Sequence, residues 1–477
     1  MKLQIHPSIF REYDIRGIAE KEITTEFAYC LGRAYALQLK GVLSTQHPPT
    51  IAVGWDCRLT SDSYSAALVS GLREGGLQVV RLGVCPTPLT YFSIFSLNLD
   101  GGIMVTGSHN PADYNGFKIC IGKGTLFGHQ IQELRSLMER LNRSPEPISP
   151  IGSVSDFAII PKYLDYLEKN AQPLKPMKIV IDAGNGTAGN VAPPLFTRLG
   201  AQVVPLFCEL DGRFPNHHPD PTVPENLKHL VEKVKSEKAA FGLAFDGDSD
   251  RLGLVDESGR ILFGDELMIL LSRAVLKENP GATIISEVKS SHRLFNDIAN
   301  KGGKPLMWKT GHSLIKSKMK ETGALLAGEM SGHIFFADRY FGFDDAIYAA
   351  LRVYEIASHH SEHPLSSLLS DLPATVSTPE IRVDCEEEKK FELVSRTKAR
   401  LEKSLPVLEI DGVRVDFGDG WGLVRASNTQ PVLVLRFEAT TSTRLAEIRN
   451  VVETALKEAS IEVGHKSISI SSEPEYL

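Results

Sequence analysis

Cysteine is scarce. Cys30, Cys57, Cys85, Cys120, Cys208 and Cys385 are the six in 477 residues. None stands at C-x-x-C spacing, which removes a zinc ligand set and a disulfide framework as organising features; a reducing cytoplasm is the expected compartment. Long apolar runs are missing too. Glu266 to Leu276 is interrupted by Ser272 and Arg273, so no membrane span is expected. A signal-peptide core is not expected either, because His6, Pro7, Arg11 and Glu12 break up the first residues. Positive charge is not in surplus: the formal net charge is −7, which gives no reason to expect nucleic acid as a partner.

What is present fits a soluble globular protein, with 42% hydrophobic and 23% charged residues. At 477 residues the chain exceeds what one core can organise and should divide into several domains. Strands and helices alternate from the start. Thr50–Gly54, Val79–Leu82 and Gly101–Val105 have the β-branched, apolar texture of strands, and Thr25–Gly41 and Ser61–Gly75 have helical spacing. The pattern restarts at Lys178–Asp182, Gln202–Leu206 and Phe241–Phe245. It restarts again at Thr283–Ser286, Leu306–Trp308 and Leu325–Ala327. Beyond Pro373 the texture changes to antiparallel strands within Val407–Phe417 and Trp421–Phe437, with an amphipathic helix over Arg444–Lys457. The charged run Glu386–Lys390 is expected to be the exposed start of a helix. The expected fold class is α/β: three successive mixed or parallel α/β domains, residues 1–157, 158–260 and 261–373, then a smaller C-terminal α+β domain, residues 374–477.

Four stretches carry chemistry. In Thr106-Gly107-Ser108-His109-Asn110-Pro111, a serine stands at the mouth of a buried strand, where open α/β sheets bind ligands. Pro111 forces a turn, and His109 and Lys118 supply donors, so Ser108 is a candidate nucleophile or phosphate carrier. In Asp246-Gly247-Asp248-Ser249-Asp250-Arg251, carboxylates alternate with small residues. They converge only around positive charge, and oxygen-only ligands favour a hard cation such as Mg²⁺, with Ser108 phosphate oxygen available to complete the set. Asp246, Asp248, Asp250 and Glu257 also match calcium-loop spacing, but Arg251 stands where that loop needs glycine and a strand enters it. In Gly328-Glu329-Met330-Ser331-Gly332-His333, Glu329 and Ser331 suit sugar hydroxyls and His333 suits phosphate or proton transfer; Lys289 and His312 fall at expected strand ends. In Arg425-Ala426-Ser427-Asn428-Thr429, a planar fork and small hydroxyl and amide donors suit a phosphate.

Two weaker features need a bland alternative. Gly184-Asn185-Gly186-Thr187-Ala188-Gly189 matches G-x-G-x-x-G, with Glu209 downstream, but such glycines equally serve a tight turn and close packing, and the structural reading is favoured. Phe10 to Gly17 places Tyr13 and Arg16 near a turn, where they face either an anion or solvent.

Taken in order, Phe10–Gly17, Thr106–Pro111, Asp246–Arg251, Gly328–His333 and Arg425–Pro431 resemble the motifs of the α-D-phosphohexomutases, in their phosphomannomutase/phosphoglucomutase branch. The resemblance implies four domains around a central cleft and an isomerase that moves phosphate between the 1- and 6-positions of mannose or glucose phosphate. It implies a phosphoserine at Ser108 and Mg²⁺ held by Asp246, Asp248 and Asp250. Hexose 1,6-bisphosphate is the implied intermediate and activator. Catalytic groups are then Ser108, His109, Lys118, Arg16 and His333. Substrate contacts are Tyr13, Arg251, Lys289, His312, Glu329, Met330, Ser331, Gly332, His333, Arg425, Ala426, Ser427, Asn428 and Thr429. The acid–base role is open among His333, His109 and Lys118. Partners are hexose phosphates, with a monomer or small homo-oligomer. Phosphoglucosamine mutases differ at Met330, typically glutamine there, and remain the alternative; a non-catalytic sugar-phosphate binder has no need of Ser108 beside three aspartates. Trp55 departs from the family, which often has a basic residue there.

Overall fold

A computed structural model describes residues 3–43, 47–147, 150–427 and 430–464. The chain forms two compact units: residues 1–283 with 311–370, and residues 284–310 with 371–477.

In the first unit a seven-stranded mixed sheet is built on Thr50–Trp55, Gln78–Val84 and Gly101–Val105, which are parallel, with Tyr114–Ile121 antiparallel beside the last. Ile15–Ile18 pairs outside Tyr114–Ile121. Residues of Gly101–Val105 alternate between two faces, as strand geometry requires. Ile103 and Val105 join the core made with helices Thr25–Val42, Ser61–Glu74 and His129–Arg143. Gly102 and Met104 face helix Thr87–Ser96 through Ile94 and Thr90. With helices on both faces, the whole strand is buried and reads as an apolar run.

A five-stranded sheet follows, with Lys178–Asp182, Gln202–Leu206 and Phe241–Phe245 parallel, then Leu252–Asp256 and Ile261–Leu262 antiparallel. The hairpin Leu326–Gly328 and Ile334–Phe336 also belongs to this unit. The second unit holds strand Lys304–Trp308 and a six-stranded antiparallel sheet whose centre is Gly420–Ala426 and Val432–Ala439. Helix Ser442–Glu462 covers that sheet with Leu445, Ile448, Val452 and Leu456, the expected amphipathic stripe. The expected α/β class with a C-terminal α+β part is therefore what forms. Among the described residues no helix is long and apolar enough to cross a membrane.

Three local expectations change. Strand Tyr114–Ile121 and helix His129–Arg143 are additional elements. The charged run is exposed at Glu386 to Glu388 as expected, but it forms the turn before the helix, which begins only at Lys390, itself 2% exposed. His312 opens helix His312–Thr322, several residues beyond strand Lys304–Trp308, instead of ending a strand.

Candidate active site

Strand Gly101–Val105 ends at the serine loop. Ser108 adopts φ +50°, a conformation that costs a non-glycine residue about 1–3 kcal/mol and that collects at functional sites. Two buried side chains hold it there. Asp56 accepts from Thr106 Oγ1 at 2.7 Å and from the Gly107 amide at 3.3 Å. Arg58 donates to the carbonyls of Ser108, Asn110, Pro111 and Tyr114 and pairs with Asp56 at 3.2 Å. The Ser108 amide in turn donates to Thr106 Oγ1 at 2.8 Å.

Ser108 Oγ lies 3.1 Å from Asp246 Oδ2 and 3.3 Å from His109 Nδ1. The aspartate loop reaches the serine because residue 247 is glycine: a Cβ there would stand 2.7 Å from the Ser108 carbonyl oxygen. Carboxylate oxygens of Asp246, Asp248 and Asp250 lie within 4.8 Å of one another, and all three residues are buried. Burial and repulsion from Asp248 and Asp250 push the Asp246 carboxyl well above the usual carboxylate range. Burial opposes the charge on Asp248, but Lys118 outweighs it and pulls that carboxyl down. Lys118, 2% exposed, sits 2.7 Å from Asp248 Oδ2 and also pairs with Asp250 Oδ2. Burial works against its ammonium, and the two carboxylates more than restore it.

These residues fit a hard divalent cation. Lys118 occupies Oδ2 of Asp248 and Asp250, while Oδ1 of each is buried with no hydrogen-bond partner. Asp246 keeps Oδ2 toward Ser108 and uses Oδ1 for the amides of Asp250 and Arg251. An all-oxygen donor set in which Asp248 and Asp250 repel Asp246 suits Mg²⁺ rather than a softer metal. Glu257 takes no part, because its carboxylate accepts from Ser366, so the calcium-loop spacing is coincidental.

The Gly328–His333 turn is tied to the same loop. Leu252 N donates to Gly332 O at 3.0 Å, and Arg251 and His333 form a β-bridge. Arg251 Nε donates to His333 Nε2 at 3.1 Å, which leaves the neutral imidazole's proton on Nδ1. That nitrogen lies 3.1 Å from Asp344 Oδ2 and 3.6 Å from Asp250 Oδ1. Burial opposes the Asp344 charge, but Lys316 and the histidines hold its carboxyl well below the usual range. His312 stacks on His333 with centroids 5.5 Å apart and meets the Tyr13 ring edge at 5.8 Å. Burial and then Lys316 lower the His312 imidazole. Glu329 accepts the Gly311 amide at 2.6 Å. Met330 and Ser331 are half-buried in the turn. Arg16 bonds Asn110 Oδ1 at 2.6 Å and Asp14 at 2.6 Å, which faces it to the serine loop. Burial, reinforced by Arg251 and Arg16, keeps the His109 imidazole well below its ordinary value.

The first unit therefore contains Tyr13, Arg16, Ser108, His109, Lys118, the three aspartates, Arg251, His312 and Glu329 to His333. The second unit contains the other predicted residues. Lys289 lies 3.0 Å from Glu380 and 3.5 Å from Glu287. Arg425 pairs with Asp411 at 3.0 Å. The Ala426 methyl belongs to the hydrophobic core, so only its backbone is offered to a ligand. Ser427 Oγ accepts the Gln430 amide at 3.2 Å. Asn428 and Thr429 lie outside the described residues. Sequence reasoning missed the supporting groups Thr87, which donates to Asp248, and Asp344; Asp56 and Arg58 were visible only as turn residues.

Gly184–Gly189 is a buttress. A Cβ at Gly186 would stand 2.7 Å from Gly247 O, Thr187 N donates to that oxygen at 3.0 Å, and Thr187 Oγ1 bonds Ser249 at 2.9 Å. The glycines let this loop press on the aspartate loop, so their role here is close packing.

Comparison with known proteins agrees with this arrangement. Models of phosphoglucomutase/phosphomannomutase α/β/α domains I, II and III match residues 7–144, 161–259 and 263–376, and the model of the C-terminal domain matches 380–455. The chain belongs to the phosphoglucomutase/phosphomannomutase family. It is 49% identical over 454 residues to a phosphomannomutase/phosphoglucomutase of Pseudomonas aeruginosa, covering 94% of this chain and 96% of that one. It is 46% identical to a phosphoglucomutase of Neisseria gonorrhoeae, covering 93% and 95%. A crystal structure of a phosphoglucomutase/phosphomannomutase family protein from Burkholderia thailandensis superposes with TM-score 0.89 at 42% identity, covering 97% of this chain and 100% of that one.

Proposed function

We propose that the chain is a phosphohexomutase acting on glucose or mannose phosphate through a phosphoserine at Ser108 and a hexose 1,6-bisphosphate. The observation that carries this is a strained serine whose Oγ lies 3.1 Å from a buried carboxylate cage. The acid–histidine pair of the site, Asp344 with His333, turns its other ring nitrogen to Arg251 and not to Ser108, so it does not set the serine up as a hydrolytic nucleophile. The serine does suit a phosphate carrier whose charge is balanced on one side by a cation and on the other by arginine and lysine.

In the forward step the bond between Ser108 Oγ and phosphorus breaks while a bond forms from phosphorus to the sugar hydroxyl oxygen. The hydroxyl proton passes to a base, and the seryl oxygen receives a proton in turn. His109 is the imidazole within reach of Ser108 Oγ, so it is placed to take up or return that proton. Lys118, Arg16 and Arg251 provide positive charge for the transferring group. Asp246, Asp248 and Asp250 would hold Mg²⁺, which when bound offsets the charge on the seryl phosphate. Glu329 and Ser331 bind sugar hydroxyls, with Tyr13 and His312 beside them. Arg425 and Ser427 take the phosphate that is not being transferred. The bisphosphate turns over and returns its other phosphate to Ser108. The four segments 1–157, 158–260, 261–373 and 374–477 each contribute one motif.

The test is turnover of glucose 1-phosphate and mannose 1-phosphate with Mg²⁺ and a trace of the bisphosphate, alongside intact mass. Wild type should carry one phosphate that Ser108→Ala lacks, and Ser108→Ala should be inactive. Normal turnover by Ser108→Ala would exclude the covalent route.

A further inference from the structure

The cations that would grip the sugar phosphate in the second unit are already matched by carboxylates. One oxygen of Asp411, Oδ2, accepts from Arg425 Nε and Nη2 at 3.0 Å each and from the Thr310 amide at 3.1 Å. The Thr310 hydroxyl donates to Glu287, which lies 3.5 Å from Lys289 Nζ. Lys289 also pairs with Glu380 at 3.0 Å. Lys289, Glu287, Thr310, Asp411 and Arg425 are thus one chain of contacts. Arg414 and Arg436 are engaged with the backbone carbonyls of residues 288–290, which fixes the loop that carries Lys289.

A protein that only captured a phosphosugar would gain from unmatched cations. A mutase has a second requirement, because its bisphosphate must loosen its grip, turn and bind again. We propose that Asp411 is a positioning residue that acts through Arg425 as a counter-charge, weakening the hold on the distal phosphate so that the intermediate can turn over. This rests on the reading that Arg425 binds that phosphate. Glu380 plays the same part for Lys289. Asp411 is suited to separate charge from geometry, because its three contacts among the described residues use the same oxygen. Asparagine can keep that acceptor as its amide oxygen while removing the charge, with an NH2 group in place of the other oxygen.

The experiment compares Asp411→Asn, Arg425→Ala and Glu380→Gln. Steady-state kinetics from glucose 1-phosphate and glucose 6-phosphate are read together with release of 1,6-bisphosphate into solution. Calorimetric binding of glucose 1-phosphate is measured in the Ser108→Ala background, and melting confirms folding. Removing one partly buried opposing charge should tighten binding by about three- to tenfold. Asp411→Asn should therefore lower Kd and KM, lower kcat and leak less bisphosphate. A merely structural role would raise KM instead. Glu380→Gln, on a more exposed carboxylate, should shift Kd the same way. Arg425→Ala should do the reverse, with higher KM and more leakage. If Arg425→Ala moves neither, the phosphate-clamp reading fails and this inference with it. If Arg425→Ala behaves as expected but Asp411→Asn weakens binding or leaks more, only the counter-charge role is overturned.

Discussion

Arg58→Lys tests how the serine is held in its reactive posture. Arg58 is buried and serves four backbone carbonyls of the serine loop while pairing with Asp56. Its guanidinium also lies over the Phe214 ring, 5.0 Å from the centroid. Lysine keeps the charge but has three donors on a compact head and no planar fork. At least two of the five polar interactions, four with carbonyls and one with Asp56, must go. At roughly 1.5–3 kcal/mol for each hydrogen bond from a charged group, the loss is about 3–6 kcal/mol, less whatever water recovers. The Ser108 conformation stores about 1–3 kcal/mol of backbone strain. The loss therefore exceeds the strain it restrains, and the loop should relax away from φ +50°. A displaced nucleophile should lower kcat about a hundredfold, while KM for glucose 1-phosphate moves by less than about threefold, since the proposed sugar contacts are in the Gly328–His333 turn and not in the serine loop. Phosphoserine content, measured by intact mass after incubation with bisphosphate, should fall in parallel. Full kcat with full phosphorylation would refute the idea that Arg58 sets the loop; lower stability with unchanged kcat would reduce it to a packing residue.

Other outcomes follow from the same geometry. Asp248→Asn should need more Mg²⁺ for half-maximal turnover while melting normally; activity that survives chelation would remove the metal assignment. Arg425→Ala should lower kcat/KM from both glucose 1-phosphate and glucose 6-phosphate by comparable factors, about one to two decades for a charge-assisted contact of roughly 1.5–3 kcal/mol; an effect in one direction only would mean the clamp is not shared. Asp345, whose carboxyl is pushed up to about 6 by burial, caps helix Ala346–His359 and accepts from Tyr163 and Tyr340. As pH rises the unfolded chain ionises this group before the folded one does, so its contribution to stability falls until pH passes about 6 and then stays level. Stability relative to wild type should therefore improve for Asp345→Asn from pH 4.5 to 7.5 in denaturant midpoints, and a flat difference would show that the carboxyl is not held neutral.

The legible parts of the site were those whose chemistry is local in sequence. Thr106–Pro111 and Asp246–Arg251 bring their own donors or ligands within six residues, so spacing alone was informative. The supporting groups were not legible, because distant strands bring them in. Arg58 acts on a loop about fifty residues away, and Asp344 matters only because His312, Lys316 and His333 converge on it. Strand Tyr114–Ile121 was hidden for a related reason. Asn115, Gly116 and Lys118 are poor strand formers in isolation. Pairing of Met104 with Lys118 against the buried strand overrides that preference and sends the lysine into the carboxylate cage. The residue that spoils the strand pattern is there for the site.

That placement also leaves room for the proposed divalent cation beside the ammonium at the three aspartates. Two positive groups competing for the same oxygens would exclude one another. Here the oxygens are divided: Lys118 takes Oδ2 of Asp248 and Asp250, and Oδ1 of each faces elsewhere without a hydrogen-bond partner. Thr87 Oγ1 donates to the same Oδ2 of Asp248, which fixes the carboxylate plane and so the direction of Oδ1. The Gly184–Gly189 loop presses on Gly247 from the other side, and Gly247 abuts the Ser108 carbonyl. The aspartates cannot drift from the serine without breaking one of these contacts. A larger residue at 186 or 247 would therefore separate the cage from the nucleophile, although neither position touches a ligand. Gly186→Ala should cost turnover and Mg²⁺ affinity together, whereas a dinucleotide site at this loop would leave both unchanged.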